Sequence, residues 1–248
     1  MKRFIGYFDY LEFKEVLLNN SEDYMRRRAE HLLRDIETSL SQNETMEQRP
    51  GVAVADLNVT TINCLNISDT VIFWTPDDSA DSCLELLNIC HMFNWKQILF
   101  NFPVRGAIIY DDFHIITGQQ HNPNGAVYSP NLMYGKGLYH AHEKTEMLNW
   151  AGTVIDNSLH EKMSSDQTYI EFLEKKAIKY RIPYKGFYRK EYAMRLADSE
   201  LNDLAFANTA RNIYGVFEGD NKSVIPSVEE KIKNTLAFIE MFREKKSE

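Results

Sequence analysis

Hydrophobic and polar positions change period several times along this chain. Residues 3–10 place Phe4, Ile5, Tyr7, Phe8 and Tyr10 in a run that predicts a strand. Residues 11–41 carry helical periodicity, interrupted at Asn19-Asn20-Ser21, where Ser21 can cap a second segment. Polar residues 42–51, ending in Pro50-Gly51, predict a loop, and Val, Thr and Ile alternate as a strand over 53–65. A further strand at 70–75 makes 67–70 the tip of a hairpin. Helical spacing of Leu84, Leu87 and Cys90 marks residues 79–95. Residues 103–118 read as a strand pair, 105–110 and 114–117, turning at Asp111-Asp112. Residues 119–130 read as a loop, 131–150 as a helix and 152–155 as a short strand. Residues 170–198 supply one or two more strands with Tyr180, Tyr184, Phe187 and Tyr188, followed by helices at 200–214 and 227–244, the last opened by Pro226.

Hairpins alternating with helices in the order β-α-β-β-α-β-β-α-β favour an α+β fold, with a mixed sheet and helices on one face, over a doubly wound parallel sheet. A split βαβ-like core fits that order. No composition shift marks a boundary, so residues 1–160 are expected to form the core and 161–248 a C-terminal strand and helix extension packed on it.

Composition narrows the function classes. The 248 residues are 44% hydrophobic and 26% charged, with a net charge of −8. Wholesale binding to nucleic acid or to an anionic membrane is not expected at that charge. No run approaches the roughly 18 apolar residues of a membrane helix, and Met1-Lys2-Arg3-Phe4 opens no signal peptide. Cys64, Cys83 and Cys90 form no metal-like pair and read as reduced core thiols of a cytoplasmic protein.

Candidate chemistry centres on Asp9 and Asp69. Each ends a hydrophobic run, and sixty residues separate them, so only the fold can bring them together. Two carboxylates at one sheet edge supply hard oxygen donors for divalent cations, and two such cations can clamp a nucleoside triphosphate. Taken singly, an Asp at a strand end is also a turn former or helix cap. Arg105 stands in an otherwise apolar strand and reads either as a structural ion pair or as positive charge for phosphate. Asn66 reads as a hairpin residue. A direct strand-to-helix turn at 8–13 would aim backbone N–H groups at phosphate. The chain has no GxxxxGK loop.

Five segments together carry a resemblance. Phe8-Asp9-Tyr10-Leu11-Glu12-Phe13 resembles the FDxxGF segment of class III nucleotidyl cyclases, with Glu12 in place of Gly. Ile67-Ser68-Asp69 resembles their second metal-binding aspartate. Phe102 to Ile108, the stretch from Gly135 to Glu146, and Gly152-Thr153-Val154-Ile155-Asp156 resemble the later strand, the Gly-opened helix and the closing strand. The order and spacing hold over roughly residues 3–160, and the match is nearest to the bacterial pyrimidine cyclases of Pycsar anti-phage defence.

That resemblance implies a ferredoxin-like βαββαβ core. It also implies a homodimer with shared active sites, and two Mn²⁺ or Mg²⁺ ions held by Asp9 and Asp69. Tyr10, Leu11, Glu12 and Phe13 would hold the β- and γ-phosphates through backbone N–H groups. The implied product is a 3′,5′-cyclic pyrimidine monophosphate, cUMP in preference to cCMP, released with pyrophosphate and read by a separate effector protein. The chain departs from the purine cyclases in having Tyr139 and Glu143 where they carry a transition-state Asn and Arg; Arg105, Lys136 and Lys144 are the cations available instead. Their adenine-reading Lys falls at Leu65, followed by Asn66, for which the resemblance implies a hydrogen bond to a base edge. Two other readings remain open: a non-catalytic cyclase-like sensor or dimerisation module, and another metal-dependent nucleotidyl transferase.

Overall fold

In the computed structural model of the protein, which describes residues 1–244, the first apolar run becomes β1 (Lys2–Tyr10), an interior strand of the main sheet. Two helices follow, α1 (Phe13–Asn19) and α2 (Glu22–Leu40), broken where expected; the Ser21 hydroxyl accepts from the Tyr24 N–H. Next come β2 (Thr45–Arg49), β3 (Val52–Ala55), β4 (Asn63–Ile67), β5 (Thr70–Trp74), α3 (Ala80–Lys96), β6 (Val104–Asp112) and β7 (His114–Thr117). The chain continues through β8 (Gln120–His121), β9 (Val127–Tyr128), β10 (Asn131–Tyr134), α4 (Lys136–Met147) and β11 (Gly152–Ile155). It ends with α5 (Asn157–Met163), α6 (Gln167–Lys176), β12 (Ala177–Tyr184), β13 (Phe187–Met194), α7 (Asp203–Glu218) and α8 (Pro226–Ile239).

The main sheet runs β12-β13-β11-β6-β1-β5-β4. β1 is antiparallel to both neighbours, and β11 is parallel to β6, so the sheet is mixed as expected. Alternation along β1 divides the two faces. Phe8 packs edge-to-face on Phe73 and on Phe93 of α3, while Ile5 and Tyr7 meet α4 at Gly137 and His142. The layering therefore differs from the expected single helical face: α3 covers one side of β1 and α4 lies across the other. Gly106 makes the first packing possible, because a Cβ there would sit 2.6 Å from the Phe8 ring directly opposite.

Five local expectations are corrected. Residues 42–51 contain β2, which pairs with β3 around Pro50-Gly51; this small hairpin is largely exposed and has no buried face to pattern it. The strand expected over 53–65 is split by a 3₁₀ turn at Leu57–Val59, which the Asp56 carboxylate caps. Asp111-Asp112 is not a turn. β6 pairs with β1 through Lys2↔Asp112, the buried Phe113 then redirects the chain, and β7 pairs with β10 instead of β6. The loop at 119–130 holds the short pair β8–β9, and the helix expected from 131 begins only after Gly135.

β12 and β13 continue the main sheet beyond β11. α8 is anchored by Ala151 N–H donating to the Thr235 hydroxyl and by Asn234 donating to the Asn149 carbonyl. The last four positions of the expected extension, 245–248, lie outside the described residues. Cys83 and Cys90 are buried free thiols, and Cys64 is a half-buried one. No helix among the described residues is long and apolar enough to cross a membrane.

His91, buried on α3, has its pKa pushed down to about 4, first by burial and then by Lys176. Its folded value lies below its unfolded one, so the unfolded chain takes up the proton first as the pH falls. Stability present above pH 6.5 is progressively lost toward pH 4. Urea unfolding at pH 7 and at pH 5 is expected to show about 2 kcal/mol of loss from this residue. His91→Gln should show that much less pH dependence; equal slopes would remove the assignment.

Candidate active site

The end of β1 is held from both sides. The Tyr10 N–H donates to the Asp69 carbonyl at 2.9 Å, which ties the β4–β5 hairpin tip to β1. The Leu11 N–H donates to the Pro103 carbonyl at 2.8 Å, which ties β1 to the start of β6. The hairpin turns through Ser68, a non-glycine residue at φ +54°. These bonds bring Asp9 and Asp69 to one pocket of about 300 Å³, together with Arg105.

Asp9 and Arg105 are direct cross-strand partners, so their side chains leave the sheet on the same face. Arg105 Nε and Nη2 lie 2.9 and 2.8 Å from Asp9 Oδ2. The same guanidinium pairs with the Glu146 carboxylate and donates to the carbonyls of Glu146 at 2.9 Å and Leu148 at 3.3 Å. Arg105 is thus a cation at the C-terminus of α4, where the helix dipole and open carbonyls favour one. The structural ion-pair reading of Arg105 holds, and that ion pair forms one wall of the pocket. Burial pushes the Asp9 carboxyl above the ordinary range; Arg105 opposes this, and Glu146 and Asp69 add to it.

Among the described residues, the Asp69 carboxylate makes no ion pair or side-chain hydrogen bond, and Asp9 Oδ1 is likewise unengaged. Two hard-oxygen donors facing one pocket, one of them short of positive charge, fit a divalent cation. No third His, Cys, Asp or Glu joins them as a ready-made cluster among the described residues, so other ligands would have to come from phosphate or water.

Tyr10, Leu11, Glu12 and Phe13 all line the pocket. Their expected role as backbone donors is narrowed, because the Tyr10 and Leu11 N–H groups are already spent on Asp69 and Pro103. The N–H groups of Glu12 and Phe13, at the start of α1, donate to no described group. Asn66 is not brought here. Its register opposite Val71 puts it on the α3 face, and its amide donates to the Thr70 carbonyl at 3.0 Å, closing the hairpin.

Sequence reading missed Glu146, Lys14, Lys185 and Lys231, which also line the pocket. Lys185 sits in the β12–β13 turn beside Gly186, and its Nζ is 3.8 Å from Glu146. Lys231 reaches in from α8. A Lys-Gly turn between two aromatic strands was the one available signal for Lys185; α8 offered none for Lys231. With these residues the pocket carries four acids (Asp9, Glu12, Asp69, Glu146) and four bases (Lys14, Arg105, Lys185, Lys231). Its walls are balanced in charge, so a polyphosphate would need added cations to be neutralised there.

No protein-family model and no curated protein sequence matches the chain. Among solved structures, it is similar to the guanylate cyclase domain of RhGC from Catenaria anguillulae in complex with GTP. The two are 11% identical over 78% of this chain and 96% of that one, with a TM-score of 0.51. It is similar to a dimeric guanylyl cyclase domain of the RhoGC fusion protein from the aquatic fungus Blastocladiella emersonii at the same identity and TM-score, over 78% and 95% of the two chains. The protein therefore has the α+β fold of class III nucleotidyl cyclase catalytic domains.

Proposed function

We propose that the protein is a nucleotidyl cyclase that converts a pyrimidine triphosphate, UTP in preference to CTP, into its 3′,5′-cyclic monophosphate and pyrophosphate. The observation that carries this reading is the convergence of Asp9 and Asp69 through the Tyr10–Asp69 backbone bond, in a fold shared with cyclase domains. In the reaction the ribose 3′-oxygen bonds to the α-phosphorus, its proton leaves to solvent, and the bond to the α–β bridging oxygen breaks. Asp9 and Asp69 would hold two Mn²⁺ or Mg²⁺ ions. When bound, the metal lowers the pKa of the attacking hydroxyl and offsets phosphate charge. Arg105 opposes the effect of burial on the Asp9 carboxyl, orients it and places positive charge under the site. The open N–H groups of Glu12 and Phe13 suit the outer phosphates.

Base choice rests on Leu65. It stands opposite Ile72 on the α4 face, where an apolar side chain offers no donor to a purine edge. A homodimer would form through that face. A largely apolar cleft of about 380 Å³ there is lined by Tyr7, Ile72, Leu138, Tyr139 and His142, and Tyr139 is exposed. We take the product to be a cytoplasmic messenger for a separate effector in anti-phage defence, as in the pyrimidine cyclases the sequence resembles.

One observation favours a non-catalytic module instead. Tyr139 donates to Glu143 at 2.9 Å, so the two positions aligned with the transition-state Asn and Arg are joined as a polar pair without positive charge. Incubating the purified protein with each of the four NTPs and Mn²⁺, then measuring product mass, separates these readings. A cyclic monophosphate from UTP or CTP is expected. A dinucleotide would point to another nucleotidyl transferase, and no product from any NTP would leave the non-catalytic reading.

A further inference from the structure

Glu12 has an unusual backbone. It joins β1 to α1 at φ +61°, ψ 21°, a left-handed conformation that disfavours side chains other than glycine, Asn or Asp. Its carboxylate is held at 2.6 Å by Lys231 Nζ, 219 positions further along the chain. Both side chains are largely shielded, at 13% exposed for Lys231 and 19% for Glu12. Lys231 is rigidly placed. α8 buries Val228, Ile232, Phe238 and Ile239 and is fixed to the segment before β11 by Thr235 and Asn234. The ammonium therefore enters the Asp9–Asp69 pocket from a fixed helix, and among the described residues Glu12 is its only partner. An ammonium has three protons to donate, so two remain for oxygens inside the pocket.

We infer that Lys231 binds the terminal phosphates of the substrate and that Glu12 is its place-holder, an anionic oxygen occupying in the free protein the position a phosphate oxygen takes in the complex. This inference deepens the cyclase reading and rests on it for the substrate, though not for the anion site itself. When a triphosphate enters, Lys231 exchanges the Glu12 carboxylate for a non-bridging phosphate oxygen, and Glu12 turns toward solvent. The terminal phosphates are the group recognised, so a nucleoside monophosphate gains nothing from Lys231.

The test compares wild type, Lys231→Met, Lys231→Arg and Glu12→Gln by calorimetric titration with inorganic tripolyphosphate and with UMP in Mn²⁺ buffer, alongside thermal melts and UTP kinetics. Loss of a charge-assisted contact predicts roughly 10- to 100-fold weaker tripolyphosphate binding for Lys231→Met. UMP affinity should be unchanged, KM for UTP raised in parallel and kcat much less affected; Lys231→Arg should recover most of the loss. Glu12→Gln should bind tripolyphosphate more tightly than wild type, because the competing carboxylate is gone. A mere brace between α8 and α1 would lower the melting temperature of Lys231→Met and Glu12→Gln alike and leave both affinities alone. That result, or wild type failing to bind tripolyphosphate, overturns the inference. Cyclic product from wild type reports separately on the cyclase reading: turnover with an unshifted Lys231→Met KM sinks only the inference, and Lys231-dependent tripolyphosphate binding without product sinks only the reading.

Discussion

Asp69→Ala should lower cyclic-nucleotide formation by a factor on the order of 10²–10³ or more, the scale on which removing one preorganised electrostatic group at a transition state acts. Its stability should stay within about 0.5 kcal/mol of wild type, as for surface substitutions without a lost partner. The contrast follows from position. Asp69 is half-exposed at a hairpin tip, its backbone carbonyl rather than its carboxylate ties the hairpin to β1, and the carboxylate has no partner among the described residues. Asp9→Ala should lose activity as completely, but it also leaves Arg105 with Glu146 as its remaining acidic partner. Product mass and melting curves for both variants check this. Retained turnover in either one would remove the metal assignment, and a large drop in melting temperature for Asp69→Ala would recast that residue as structural.

The largest stability effect is expected at a second ion cluster, away from the pocket. Lys144 on α4 pairs with Asp156 and, at 2.5 Å, with the buried Glu191, whose other oxygen accepts from the Tyr184 hydroxyl. Burial works against ionisation of Asp156, but the Lys144 charge and hydrogen bond hold its pKa below the ordinary range. Lys144→Met strands Glu191, which is only 3% exposed, as an uncompensated charge. Breaking one side of such a buried pair costs about 3–5 kcal/mol, which for a chain of this size is roughly a 10 °C fall in melting temperature. Lys144→Met combined with Glu191→Gln should recover much of that, because the stranded charge is gone. A single-variant loss below about 1 kcal/mol would mean that solvent reaches Glu191.

Elements that bury apolar residues were legible in the sequence. β1, the break at Ser21, the hairpin at 67–70 and α3 each carry either a continuous apolar run or a helical period that burial enforces. β2 and β8 to β10 were not, because they are short, mostly exposed strands with no apolar face to alternate. The false turn at Asp111-Asp112 has a different cause: β6 keeps pairing with β1 past its apolar stretch, and pairing leaves no mark on composition. At the site, Asp9, Asp69 and Arg105 were readable because strand ends and a lone charge among apolar residues are local signals. Glu146, Lys185 and Lys231 arrive through helix and hairpin docking, which only the assembled fold determines. Asn66 lies outside the pocket through register alone, since a strand gives alternate residues to opposite faces.

The close seat of α4 makes it a lever. At position 137 any side chain would press within 2.6 Å of the Ile5 methyl and 2.8 Å of the Asp112 carbonyl, so the helix can lie this near the strands only with glycine there. Nine residues on, about 13 Å along the axis, the same rod delivers Glu146 and its carbonyl to Arg105. Whatever tilts the helix at its glycine end, including a second subunit pressing on this face, moves the arginine's acceptors and with them the grip on Asp9. Assembly and chemistry would then be joined through one stiff element, with no loop in between to absorb the strain.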